Sequence, residues 1–253
     1  MTPWDPTAVA GHHLRRVASV QGLGARRALW GEALGTLPPE AGARLVEGAV
    51  RGAAGRSPQA VAAFLPLLDL PALSAAATPG RLAAVLEAAR AEGCDGCLLL
   101  LEYPGRPSAP ARPGSPPDPI LDTLTLGHRK AAARGLRTPA LERILADPDP
   151  RVVREVLRNP RLRESEVVAV AVRRPCPAEV FWLLAGSERW VRRAGVQRAA
   201  ARNPYCPPQL AIGLTVLLAD PDRRAVAEQE GLHPAVRDGA LQILAWGRGG
   251  RRP

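Results

Sequence analysis

Three arginine clusters mark the C-terminal half of this chain, and the clusters themselves hold almost no acidic residues. Arg151, Arg154 and Arg158 come first; at about 100° per residue on a helix they fall within about 60° of one another, opposite Val152, Val153, Val156 and Leu157. Arg189, Arg192 and Arg193 form the second, set against Trp190, Val191 and Ala194, and Arg223 and Arg224 the third. A solvated face usually mixes charge signs, and arginine suits planar, bidentate contact with carboxylate or phosphate. If the three helices lie side by side, these eight arginines are expected to form one ridge. Its expected partner is a protein with an acidic surface, with nucleic acid as the alternative; steep salt dependence would favour the latter.

Little else offers chemistry. Cys94-Asp-Gly-Cys97 has half the spacing of a zinc site, and Cys176 and Cys206 each precede a proline. Small buried thiols are the expectation for all four, with Cys94 and Cys97 the weak metal candidates. The pairs Asp147/Asp149 and Asp220/Asp222 read as turn and cap residues, and His12, His13, His128 and His233 lack metal spacing. There is no Gly-x-Ser-x-Gly and no Gly-Lys-Ser/Thr, and Gly22-Leu-Gly24 lacks the third glycine of a dinucleotide fingerprint. The expectation is a non-catalytic interaction module with no cofactor.

The elements that must position these residues are helices. Ala and Leu fill 79 of 253 positions, whereas Phe, Trp and Tyr supply nine, which disfavours strands. The net charge of +10 rests on 33 arginines and one lysine, a skew that GC-rich codons produce without function. Its distribution is more telling: +1 over residues 1–120 and +9 over residues 121–253. No apolar run approaches the roughly 20 residues of a membrane span. Met1-Thr-Pro-Trp-Asp-Pro carries no signal-peptide pattern, so a cytoplasmic chain with reduced thiols is expected.

Punctuation divides the chain further. Pro104, Pro107, Pro110, Pro113 and Pro116 recur every third residue, the period of a polyproline II spacer. The expected organisation is all-α: a helical domain over 1–103, a Pro-rich linker over 104–119, helical repeats over 120–246 and a disordered basic tail over 247–253. Thr7–Val20, Ala25–Leu37, Pro39–Ala54, Pro58–Leu68 and Arg81–Glu92 are the expected N-terminal helices, with Trp30 and Phe64 as core anchors.

Repetition appears after the linker. Leu145-Ala-Asp-Pro-Asp149 returns as Leu218-Ala-Asp-Pro-Asp222, and Asn159-Pro160 returns as Asn203-Pro204. Thr138-Pro139, Cys176-Pro177 and Pro207-Pro208 look like helix starts, and Asp149 is placed to cap a helix whose first residue is Pro150. Such units cannot bury a face alone and must stack. The pattern, carried by Pro139–Pro160, Pro177–Pro204 and less fully Pro208–Gly231, resembles leucine-rich repeat variant proteins and, more loosely, HEAT-like repeats over about residues 136–245. That resemblance implies a curved α-solenoid that binds macromolecules. The founding variant-repeat protein carries an iron–sulfur cluster on N-terminal cysteines, of which Cys94 and Cys97 are an incomplete counterpart. Some HEAT-like proteins are DNA glycosylases that use an Asp and aromatic residues on a basic surface; Asp147, Trp182 and Trp190 are the residues that such a resemblance would cast.

Overall fold

The computed structural model describes residues 5–76, 79–102, 119–135 and 143–249. Every regular element among them is helical. The Pro-rich stretch from 104 to 118 and the expected helix start at Thr138-Pro139 lie outside the described residues.

In the N-terminal half the chain runs through helices Pro6–Ser19, Leu23–Thr36, Pro39–Ala54 and Pro58–Phe64, a 3₁₀ turn Leu65–Leu68, and helices Leu70–Ala76, Pro79–Glu92 and Asp95–Leu101. Pro39–Ala54 has the expected bounds because proline opens it at the first turn. Leu45, Val46, Ala49, Val50 and Ala53 form its buried stripe, as their spacing required. This helix is the hub of the half: Pro6–Ser19, Pro58–Phe64, Pro79–Glu92 and Asp95–Leu101 all pack on it. Pro66 makes the end of the expected Pro58–Leu68 helix tighten into 3₁₀ geometry, since proline offers no N–H for the α pattern. Trp30 and Phe64 are fully buried, and the Trp30 indole donates to the Ala63 carbonyl at 2.7 Å.

After helices Pro119–Thr123 and Leu126–Arg134 come Pro150–Arg158, Glu164–Val172, Ala178–Ala185, the single turn Glu188–Val191, Ala194–Ala201, Pro208–Leu217, Asp220–Ala227 and Pro234–Gly249. Leu126–Arg134 packs on Pro150–Arg158, and Glu164–Val172 packs in the same way on Ala194–Ala201. The last helix continues three residues into the stretch expected as a tail, whose remainder is outside the described residues.

One apolar core runs through both halves. Pro208–Leu217 joins them, lying against Pro39–Ala54, Asp95–Leu101 and the Leu65–Leu68 turn. Its Gly213 permits that approach, since a Cβ there would sit 2.6 Å from Leu68 Cδ2. Polar groups fasten the same seam. Gln209 Nε2 donates to the carbonyls of Leu100 and Leu101 at 3.0 and 3.2 Å, and the Leu23 N–H donates to Glu188 Oε2 at 3.1 Å.

Candidate interaction groove

Helix Pro150–Arg158 has the cap and the phase that its sequence demands. Asp149 Oδ1 accepts from the Arg151 N–H at 2.9 Å, and Pro150 occupies the first helical position. Val152, Val153, Val156 and Leu157 are buried, while Arg151, Arg154 and Arg158 are exposed. The exposed face opens on a groove of about 520 Å³ that also takes Asp69 and Pro71 from the N-terminal half and Glu179, Trp182 and Leu183 from helix Ala178–Ala185. Arg151 is held by Asp149, Nη2 to Oδ2 at 2.7 Å, and this contact keeps the Asp149 carboxyl below its ordinary range. Asp69 pairs with Arg27 at 2.9 Å. Among the described residues no carboxylate pairs with Arg154 or Arg158.

The other expected ridge residues have different fates. The stretch around Arg189 is not one helix: it is a single turn, Glu188–Val191, followed by a separate helix, Ala194–Ala201, so Arg193 becomes an N-cap position and Ala194 is exposed. Arg189 lies over the Trp190 ring, 4.1 Å from its centroid. Its two terminal nitrogens donate to the carbonyls of Asn159, Pro160 and Leu162 at 2.9, 3.0 and 2.7 Å. Arg192 pairs with Glu188 at 3.1 Å and Arg193 with Glu164 at 3.9 Å.

Arg223 does not belong to an exposed ridge, being only 4% exposed. It donates to the carbonyls of Val216 at 2.6 Å, Thr215 at 3.3 Å and, across the seam, Ala54 at 2.9 Å, and pairs with Asp220 at 3.0 Å. The reason is one proline, which sets where the helix starts and shifts that start by three positions between the two copies. Where the first Asp-Pro-Asp is followed by Pro150, the second is followed by Arg223. Pro150 keeps Asp149 out of the α region and delays the helix. Without that proline the second helix begins at Asp220, which turns Arg223 inward and leaves Arg224 exposed.

The residues cast by the glycosylase resemblance are partly committed elsewhere. Asp147 is fully buried, pairs with Arg129 at 2.8 Å and accepts from the Asp149 N–H at 2.8 Å. Trp190 is buried and its indole donates to the Leu157 carbonyl at 2.8 Å. Only Trp182 of the three lines the groove.

Two structural residues escaped the sequence reading. Asn159 and Asn203 are 3% and 1% exposed and make the same set of bonds. Asn159 Nδ2 donates to the Ala133 and Gly135 carbonyls, both at 3.1 Å, and its Oδ1 accepts from the Arg161 N–H at 3.0 Å. Asn203 Nδ2 donates to the Ala171 and Arg173 carbonyls at 2.8 and 2.9 Å, and its Oδ1 accepts from the Tyr205 N–H at 3.0 Å. Each asparagine therefore ends one helix and satisfies orphan carbonyls at the end of the helix packed beside it. The repeated Asn-Pro was visible in the sequence, but as a helix stop alone.

All four cysteines are buried free thiols. Burial is the leading cause of the upward shift at each, raising Cys176 to about 11 and holding Cys94, Cys97 and Cys206 above the usual thiol range. Thiolate is the form that binds metal, and burial disfavours that form at Cys94 and Cys97. Among the described residues no three His, Cys, Asp or Glu side chains converge on a point. His128 is exposed at a helix start, where Thr125 Oγ1 accepts from its N–H at 3.3 Å. Among the same residues no helix is long and apolar enough to cross a membrane. No family model, curated protein or solved structure matches this chain.

Proposed function

We propose that this chain is a non-catalytic scaffold of stacked helical units, an irregular α-solenoid over its C-terminal half, that binds an acidic segment of a partner protein in the Arg151–Arg154–Arg158 groove. The observation that carries the reading is Arg154 and Arg158: two exposed guanidiniums, paired with no carboxylate among the described residues, beside the apolar surface of Leu157, Trp182 and Leu183. A desolvated wall beside them strengthens a charge-assisted hydrogen bond to an incoming carboxylate. The matching closures at Asn159 and Asn203 support the stacking. A protein is favoured over nucleic acid because the groove mixes its arginines with Asp69, Glu179 and apolar surface, which suits a segment with a few placed carboxylates and aliphatic side chains better than the continuous charge of a phosphate backbone.

The test is fluorescence anisotropy with a labelled peptide of alternating Glu and Leu, against a Lys-Leu control and duplex DNA. The glutamate peptide should bind selectively, and the double variant R154E/R158E should weaken it at least about tenfold, as charge reversal at a complementary surface does. Tighter binding of duplex DNA, with a steep loss in salt, would overturn the reading.

A further inference from the structure

A second groove opens on a helix whose arginine face matches that of the first, although a different neighbour, the earlier helix Glu164–Val172, forms its other wall. Superposing Asn203 on Asn159, whose hydrogen bonds match, sets an offset of 44 residues. At that offset Arg198 falls on Arg154 and Arg202 on Arg158, while buried Val196 and Ala200 fall on buried Val152 and Val156. Helix Ala194–Ala201 therefore turns the same arginine face outward as helix Pro150–Arg158. That face opens on a groove of about 420 Å³ lined also by Arg174, Val168, Val172 and Gln229.

We infer that this second groove is a further binding site for an acidic polypeptide segment, an assignment that rests on the reading of the first. Three guanidiniums line it and no carboxylate does. Two carboxylates stand at its edge outside the lining: Asp222 pairs with Arg198 at 3.6 Å, and Glu164 lies against Gly195 while pairing with Arg193 at 3.9 Å. Arg202 uses Nε on Gln229 Oε1 at 3.0 Å, and Arg174 uses one terminal nitrogen on the Arg202 carbonyl at 3.1 Å. The remaining guanidinium donors of Arg202 have no acceptor among the described residues and face a ligand in the fork geometry that a carboxylate matches.

Apolar surface adjoins them. Val172 is 51% exposed, an uncommon state for a β-branched apolar residue in a concavity, and Val168 and Ala199 extend the patch. The ligand that fits is a polypeptide with acidic side chains for Arg198 and Arg202 and an aliphatic one for Val168 and Val172. Single-stranded nucleic acid would need an aromatic platform for its bases, and no aromatic residue lines this groove. These arginines were missed in the sequence because the ridge was phased on the cluster at Arg189, whereas the structural repeat is phased on Asn-Pro.

Calorimetric titration of the full chain with a short Glu-Leu peptide tests the inference. The wild type should take up two peptides. R198E/R202E should take up one, and R154E/R158E should retain the other. V172E, which leaves every arginine in place and adds a carboxylate to the groove, should also take up one, so the result does not hang on a variant that disturbs the Arg202–Gln229 contact. A wild-type stoichiometry of one, lost in R154E/R158E and unaffected by R198E/R202E and V172E, would leave the first groove standing and remove the second. Two sites that survive R198E/R202E or V172E would likewise overturn the second groove. No uptake by any form would remove both. Oligothymidylate displacing the peptide from the site that R198E/R202E abolishes would overturn the polypeptide assignment.

Discussion

The two halves use arginine differently. In the N-terminal half, links between elements run largely from arginine to carboxylate: Arg16 to Glu32 at 3.2 Å, Arg27 to Asp69 at 2.9 Å, Arg51 to Asp95 at 3.5 Å and Arg90 to Glu102 at 2.9 Å, with Arg44 on Glu92 as well. In the C-terminal half many of them run to backbone carbonyls instead. Arg173 donates to Leu145 and Asp147, both at 3.1 Å, Arg189 to the 159–162 loop, Arg223 to Val216 and Ala54, and Arg237 to Ala227 at 3.1 Å. Short helices make this use natural, because every helix end leaves carbonyls without a partner and one guanidinium can serve two or three of them. A carbonyl satisfies the hydrogen bond and leaves the charge uncompensated. The +9 of the C-terminal half is thus in part a by-product of helix closure, and only arginines such as Arg154 and Arg158 remain as an electrostatic signal.

Removing a clamp and removing a free arginine should therefore have separate consequences. The largest loss is expected for R223L, which strips the donor from buried carbonyls on both sides of the seam; urea unfolding should show about 3 kcal/mol, the cost of leaving two or more buried acceptors unpaired. A loss under about 1 kcal/mol would mean that water replaces the guanidinium there. N159A and N203A should each cost about 2 kcal/mol, and the two values should agree if the closures are equivalent units. W30F and W190F shrink the aromatic body and leave one buried carbonyl unpaired each, so about 2 kcal/mol apiece is expected in both halves. R189A should cost about 1 kcal/mol, whereas R154A should stay within about 0.5 kcal/mol while weakening the glutamate peptide. Equal stability losses for R189A and R154A would erase the distinction between clamp and ridge.

The smallest effect concerns acid. The Leu23 N–H holds the Glu188 carboxyl below its ordinary range, with Arg192 adding to the shift. A depressed carboxyl stabilises fully above the unfolded value, about 4.3 for Glu, and that contribution is lost as pH falls through the lowered folded value. E188Q should accordingly leave stability near neutrality slightly reduced and make its fall below about pH 4 shallower than in the wild type, as followed by circular dichroism.

What the sequence determined by itself was local. Ala and Leu content set an all-helical chain, Pro39 and Pro150 set helix starts, and the spacing of Val152, Val153, Val156 and Leu157 set which face of one helix is buried and which carries Arg151, Arg154 and Arg158. Each rests on backbone geometry within a few residues, where periodicity and capping act. Helices Leu70–Ala76 and Asp95–Leu101 were not legible, being seven residues long and too short for a periodic stripe to show. Tertiary structure alone decided which arginines are free. The acceptors of Arg189, Arg173 and Arg223 are main-chain carbonyls on other elements, up to 169 residues away in the chain. Every residue carries that carbonyl, so the acceptor has no side-chain identity for a sequence to display; only the packing of one helix end beside another selects it.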